Sequence, residues 1–223
     1  MFRSRRREVV FPQREHARFA AVIADAWSDA FAPVRLPRER FVLGVAEHDR
    51  GYVEHDADEI GNLPAGRWLG IQERGFAATH DDAVVDLVVG LHVRRLVSSG
   101  HDQETRRVLA AMDAEVPALV RAAAVSAGDA YAADRVTDLC DRISFDFCLE
   151  EPASGSVEVV GADGTATAVR YALDGLDAVT LEPWPLAVER LNGTVQAFAA
   201  EGYPDDLEPV PTPFIIEPAG AVA

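Results

Sequence analysis

The chain has no lysine: all 21 of its basic side chains are arginine. That absence removes Schiff-base catalysis and any mechanism that needs an ammonium group. Cysteine is nearly absent too, with Cys140 and Cys148 as the only two. In one helical stretch they would lie roughly 12 Å apart at ~1.5 Å rise per residue, too far to bridge, so both read as reduced thiols in a core. The sequence contains no Cys-x-x-Cys, no Gly-x-Ser-x-Gly elbow and no glycine-rich phosphate loop ending in Lys-Ser/Thr. Dithiol, serine-nucleophile and nucleotide-loop chemistries therefore lack their signatures. Positive charge is scarce: 37 acids outnumber the arginines and the formal charge is −16, which argues against a nucleic-acid partner. No apolar run approaches the roughly 20 residues of a membrane span, and the start (MFRSRRREVVFPQRE) lacks the apolar stretch of a signal peptide. The expectation is a cytoplasmic protein with no membrane association, acting on a small-molecule substrate.

What is present divides near residue 151. Before it, apolar residues recur at spacings of three and four, which predicts helices over about Arg14–Phe31, Arg38–Glu47, Arg67–Ala77, Asp81–Ser98, Asp102–Val125 and Ala130–Leu149. Pro117 should kink or split the fifth, because it removes an amide donor. The acid-rich segment Arg50–Pro64 has no periodicity and reads as an exposed loop. After residue 151, Ser156–Val160 and Thr165–Tyr171 flank Gly161-Ala162-Asp163-Gly164, a hairpin signal. Ala178–Leu181, Thr194–Ala199 and Pro213–Ile216 read as further short strands, and Pro183-Trp184-Pro185 as a rigid extended break. The expected architecture is mainly α: an all-α body over residues 9–150 and a small β-rich C-terminal segment over 151–217 packed on it. Residues 1–8 and 218–223 are expected to fray.

Of the six histidines, His16, His48 and His92 fall on or beside apolar helix faces, where an unpaired imidazole is costly. His16 precedes the stripe Phe19, Ala20, Ile23 and Trp27. His48 and Asp49 close the second helix; adjacent side chains converge on one ion only at an element's end, where the backbone is free to turn. Asp141 shares a helix side with Asp138, Ser144 and Cys148 in a segment otherwise rich in core residues. Acids so placed want a cation. Asp138 is expected to pair with Arg142, four residues on, while His55, His80 and His101 read as solvated.

This order of residues, an early helical His16, the His48-Asp49 dyad, a later helical His92 and a final Asp141-Arg142-Ile143, resembles the HD-domain superfamily. The runs Ala46-Glu47-His48-Asp49-Arg50-Gly51-Tyr52, Gly90-Leu91-His92, Leu139-Cys140-Asp141-Arg142-Ile143-Ser144-Phe145 and Glu182-Pro183-Trp184-Pro185 resemble, over nearly the whole chain, the bacterial family called domain of unknown function 3891. The HD resemblance implies a helical metal domain in which His16, His48, Asp49 and Asp141 bind a divalent ion such as manganese, iron, zinc or magnesium. It implies that His92 serves a second ion or acts as acid/base; dinuclear members usually carry a further histidine in that stretch. Mixed imidazole and carboxylate shells leave open positions on a divalent ion, which suits hydrolysis. Arg50 and Arg95 are candidate contacts to an anion, with Tyr52 and Trp68 at the mouth of the site. The resulting expectation is a metal-dependent hydrolase of a small phosphorylated or otherwise anionic substrate. An HD-type di-iron oxygenase and a non-catalytic, metal-stabilised binding module are the alternatives.

Overall fold

In the computed structural model, which describes residues 1–220, the expected helices form: α1 (Gln13–Asp25), α2 (Arg38–Ala46), α3 (Ala65–Ala77), α4 (Ala83–Val97), α5 (Gln103–Ala122) and α6 (Ala127–Leu149). Asp82 caps α4 by accepting from the backbone N–H of Val84 at 2.9 Å, and Asp102 and Ser126 cap α5 and α6 in the same way. α5 runs unbroken through Pro117. That residue is exposed, so the carbonyl its missing N–H leaves free can turn to water.

The mainly α expectation is overturned. The helices hold 42% of the chain, and a curled seven-stranded mixed sheet covers much of the rest. Its strands are β1 (Phe2–Arg3), β2 (Val9–Phe11), β3 (Ser154–Val160), β4 (Ala166–Asp174), β5 (Ala178–Glu182), β6 (Leu191–Ala199) and β7 (Pro209–Pro218), in the order β1-β2-β6-β7-β5-β4-β3. All neighbours are antiparallel except β5 and β7, which run parallel with Val179 opposite Ile216. The fold is therefore α+β rather than all-α. The first residues do not fray: Phe2 is fully buried and pairs with Phe11, and Val10 pairs with Phe198. Arg7 and Ser4 are tied to the buried carboxylate of Glu150. At the other end Pro218 closes β7, and residues 221–223 lie outside the described residues.

The physical reason for the difference is long-range pairing. A strand of three residues, Val-Val-Phe before a proline, carries no periodicity, and its partner lies almost two hundred residues away. Once β1 and β2 extend the C-terminal strands, the sheet becomes a layer against which α1 and α6 lie. Phe19 of α1 meets Phe147 of α6 at 4.9 Å and Phe214 of β7 at 4.5 Å between ring centroids. Trp27, Ile23, Leu139, Ile143, Leu181, Val195 and Ile216 complete this core. A second cluster, Leu69, Val85, Val89, Val93, Val97, Val108 and Met112, joins α3, α4 and α5. Both cysteines are free and buried. Among the described residues no helix is long and apolar enough to cross a membrane.

Candidate metal centre

Four helices converge on the polar cluster. α1 brings His16, the turn after α2 brings His48 and Asp49, α4 brings His92 and Arg95, and α6 brings Asp138, Asp141 and Ser144. A close helix contact sets the spacing. A Cβ on Gly44 would lie 2.7 Å from the Cβ of Val88, so only glycine lets α2 approach α4 this closely. His48 and His92 each sit four residues further on, and their rings stand 4.3 Å apart.

Hydrogen bonds at the back of each ring fix which nitrogen faces inward. Ser144 Oγ donates to the Asp141 carbonyl at 2.9 Å and so accepts from His16 Nδ1 at 2.9 Å. His48 Nδ1 donates to the Val45 carbonyl at 2.7 Å. Both Nε2 atoms therefore present lone pairs, and they face each other at 3.2 Å. His16 Nε2 lies 3.1 Å from Asp141 Oδ1 and 3.7 Å from Asp49 Oδ2, and His48 Nε2 lies 3.6 Å and 3.7 Å from the same two oxygens. All three imidazoles are essentially buried, and Asp141 is 8% exposed. Four facing acceptors are an arrangement that a positive charge resolves, either a metal ion or a proton shared between His16 and Asp141.

The spacing fits a small divalent ion. Tetrahedral ligands at about 2.0–2.2 Å from a metal stand roughly 3.3–3.6 Å from one another, and cis octahedral ones about 3 Å. The five separations above fall around those edges. Second contacts of the expected kind are also present, since the serine and carbonyl partners orient both rings. The ligand sets close enough for one ion are His16, His48 and Asp49, and, sharing His48, the set His48, His92 and Asp141.

Titration in the ion-free cluster points the same way. Burial disfavours charge on His48 and, with the neighbouring His92, pushes its pKa down to about 4. Burial opposes charge on His16 as well, yet the hydrogen bond to Asp141 and the charges of Asp141 and Asp49 hold its pKa above the ordinary value. For both carboxylates burial favours the neutral acid, but the surrounding imidazoles outweigh it, and Asp141 is held well below the usual range. The site keeps two negative charges and draws in a positive one, a proton if nothing larger.

His92 is disposed differently. Arg95 Nη2 donates to its Nδ1 at 3.0 Å, so the proton sits on Nε2. That atom faces Asp49 Oδ1 at 3.6 Å, is buried, and has no hydrogen-bond partner. As it stands, His92 offers a donor rather than a ligand lone pair.

Neither arginine is free to hold an anion. Arg50 donates from Nε to the Gly75 carbonyl at 3.0 Å, from Nη1 to Asp86 at 2.7 Å and from Nη2 to the Ala78 carbonyl, closing the end of α3. Arg95 lies behind the cluster among Asp134, Asp138 at 3.1 Å and Asp141 at 3.4 Å, holding His92 and Asp141 in place. Asp138 pairs with Arg142 at 2.9 Å, as its spacing predicts, and also with Arg135 at 2.9 Å. His80 and His101 are exposed, whereas His55 is only half-exposed and its Nδ1 is buried.

A cavity of about 120 Å³ opens onto the cluster between Gln13, Tyr52, Ile60, Trp68, Leu96 and Phe145. Tyr52 and Trp68 line it as the sequence suggested. Gln13 was missed: it is buried, and its Oε1 has no partner. Its place is fixed by Asp56, a buried acid of the Arg50–Pro64 segment, which accepts the Gln13 backbone N–H at 3.0 Å. A polar residue at the first position of an amphipathic helix carries no signal of this in sequence.

A family model described as protein of unknown function (DUF3891) matches residues 2–199. The chain belongs to that family. No curated protein and no solved structure matches it, and none of these comparisons supports the likeness to HD-domain proteins.

Proposed function

We propose that this member of the DUF3891 family is a metal-dependent hydrolase of a small substrate. The observation that carries the reading is the set of four buried acceptors, His16 Nε2, His48 Nε2, Asp49 and Asp141, with no donor among them. A structural pair would be satisfied internally; this set is complete only with a positive charge, which an ion supplies. When bound, such an ion supplies Lewis acidity and makes water a stronger acid. The chain's own groups supply the rest. His92 Nε2–H is aimed at the cluster from one side and can donate a hydrogen bond to an oxygen that gains charge in the reaction. Arg95 holds that tautomer through its bond to Nδ1, and Trp68, Ile60, Leu96 and Phe145 keep bulk water from the cavity. The expected arginine clamp on an anion is absent from the reading, because Arg50 and Arg95 are already engaged.

The test is turnover of p-nitrophenyl acetate and p-nitrophenyl phosphate by the full chain loaded in turn with manganese, zinc and ferrous ions. Metal-dependent hydrolysis that falls at least tenfold in His92→Gln, with metal content unchanged, is the expected result. Uptake of dioxygen by a ferrous form holding two irons, with no hydrolysis, would move the reading to the oxygenase. No reaction with any metal, alongside full metal content, would leave a metal-stabilised binding module.

A further inference from the structure

The proposed metal site is fed by a cavity whose chemistry is unusual for a chain expected to take an anion. Among its lining residues there is no arginine, and the chain has no lysine. Its acidic members, Asp49 and Asp141, are the groups proposed to hold the ion. An adjoining hollow, which shares Leu96, Phe145 and Asp141 with it, is lined by Asp138, Asp146 and Arg142, and that arginine is spent on Asp138. Acid borders that side of the approach, and the whole chain carries −16, so an anion is disfavoured at long range.

Two buried polar atoms at the cavity wall lack partners, and they are complementary to one another. Gln13 Oε1 can only accept, while His92 Nε2 carries a hydrogen and can only donate. Gln13 is 2% exposed and His92 1%. Leaving such atoms unpaired in a buried site is costly, and a bound ligand relieves that cost. Phosphate or carboxylate would satisfy His92 but set an oxygen against Gln13 Oε1, which can only accept. The walls, Ile60, Trp68, Leu96 and Phe145, are apolar, and about 120 Å³ falls well below the ~300 Å³ at which drug-sized pockets begin.

Resting on the hydrolase reading, we infer that the substrate is a small uncharged amide, its N–H donating to Gln13 Oε1 and its carbonyl oxygen accepting from His92 Nε2. An amide is the simplest neutral group that presents a donor and an acceptor side by side. Its hydrolysis balances with the groups present: water adds its oxygen to the carbonyl carbon, the C–N bond breaks, and the nitrogen leaves with a proton from that water, while His92 keeps its proton and holds the carbonyl oxygen.

The experiment is a titration followed by the side-chain and backbone amide NMR signals of the full chain, zinc-loaded and metal-free, with acetamide, inorganic phosphate and methylammonium as probes. Acetamide should shift the Gln13 side-chain signal and saturate, at least tenfold more tightly than phosphate or methylammonium. Gln13→Met, which keeps the volume and removes the acceptor, should weaken acetamide at least fivefold and leave the spectrum otherwise folded. Tighter phosphate or methylammonium binding, acetamide binding unchanged by Gln13→Met, or no saturable acetamide shift in either form would each overturn the inference. If zinc is not retained but metal-free protein still binds acetamide through Gln13, the metal reading fails while the cavity inference stands.

Discussion

The same two helices build two opposite environments. On one side α1 and α6 bury Phe19, Ile23, Ile143 and Phe147 against the sheet, with aromatic centroids 4.5–4.9 Å apart and every contact apolar. On the other, within one turn, they present His16, Asp141 and Ser144 to a cluster in which acceptors face one another. The first side is satisfied by folding alone. The second is not, and the contrast teaches that stability resides in the sheet-facing layer while the polar cluster is held in an arrangement the chain itself does not reward.

The comparison breaks most visibly on the apolar side. Phe147→Ala should cost about 3–5 kcal/mol of stability, seen as a large drop in the urea midpoint, with metal retained by whatever fraction stays folded. Gly44→Ala comes next. Its new Cβ meets Val88, so overpacking should cost about 1–3 kcal/mol and weaken metal binding by displacing His48 from His92. Val88→Ala in the same chain should restore much of both, which calorimetric metal titration and thermal melts would register. On the polar side the sign reverses. Asp49→Asn replaces one of the facing acceptors by a donor and should raise metal-free stability by about 1 kcal/mol while lowering metal affinity at least tenfold. A fall in metal-free stability would show that the cluster is satisfied as it stands.

The smallest effect expected is on pH dependence. Unfolded His48 takes up a proton near its ordinary value of about 6.5, but in the fold it does so only at about 4. The unfolded state then binds more protons across that interval, so His48 makes metal-free protein less stable as pH falls from about 6.5 towards 4. His16 works the other way: its raised pKa contributes stability that is present at low pH and lost as pH rises through its folded value. Urea melts at pH 7 and pH 5 should therefore show a smaller acid loss in His48→Gln than in the parent chain.

Much of this was legible in sequence, and what was not has physical causes. Helices read well because their periodicity is local. Their ends were placed to within about two or three residues where Asp82, Asp102 or Ser126 supplies a cap, and the first helix ran six residues too long because α1 ends before Ala26 with no glycine or proline to mark it. The hairpin at Gly161–Gly164 was marked by glycines, the last of which has φ +80°. The seven-stranded sheet was not legible, because β1 and β2 are two and three residues long and gain their meaning only from pairing with β6. In the site, His16, His48, Asp49, Asp141 and His92 come together because buried polar residues on apolar faces demand company. The roles of Arg50 and Arg95 were misread for the opposite reason: an arginine's partners in an acid-rich chain are set by tertiary packing, and here Asp86, Asp134 and Asp138 claim them. Gln13 could not have been found, since its isolation depends on a cavity.

The central claim is that the four facing acceptors exist to hold an ion, and elemental analysis of the untagged full chain tests it most directly. The parent protein and the His48→Ala, Asp49→Ala double variant would be purified aerobically and anaerobically and then reconstituted with manganese, zinc and ferrous ions. The account predicts at least one equivalent of divalent metal per parent chain and its loss in a variant that remains folded. Metal absent from the parent under every condition, or present equally in the variant, would contradict it.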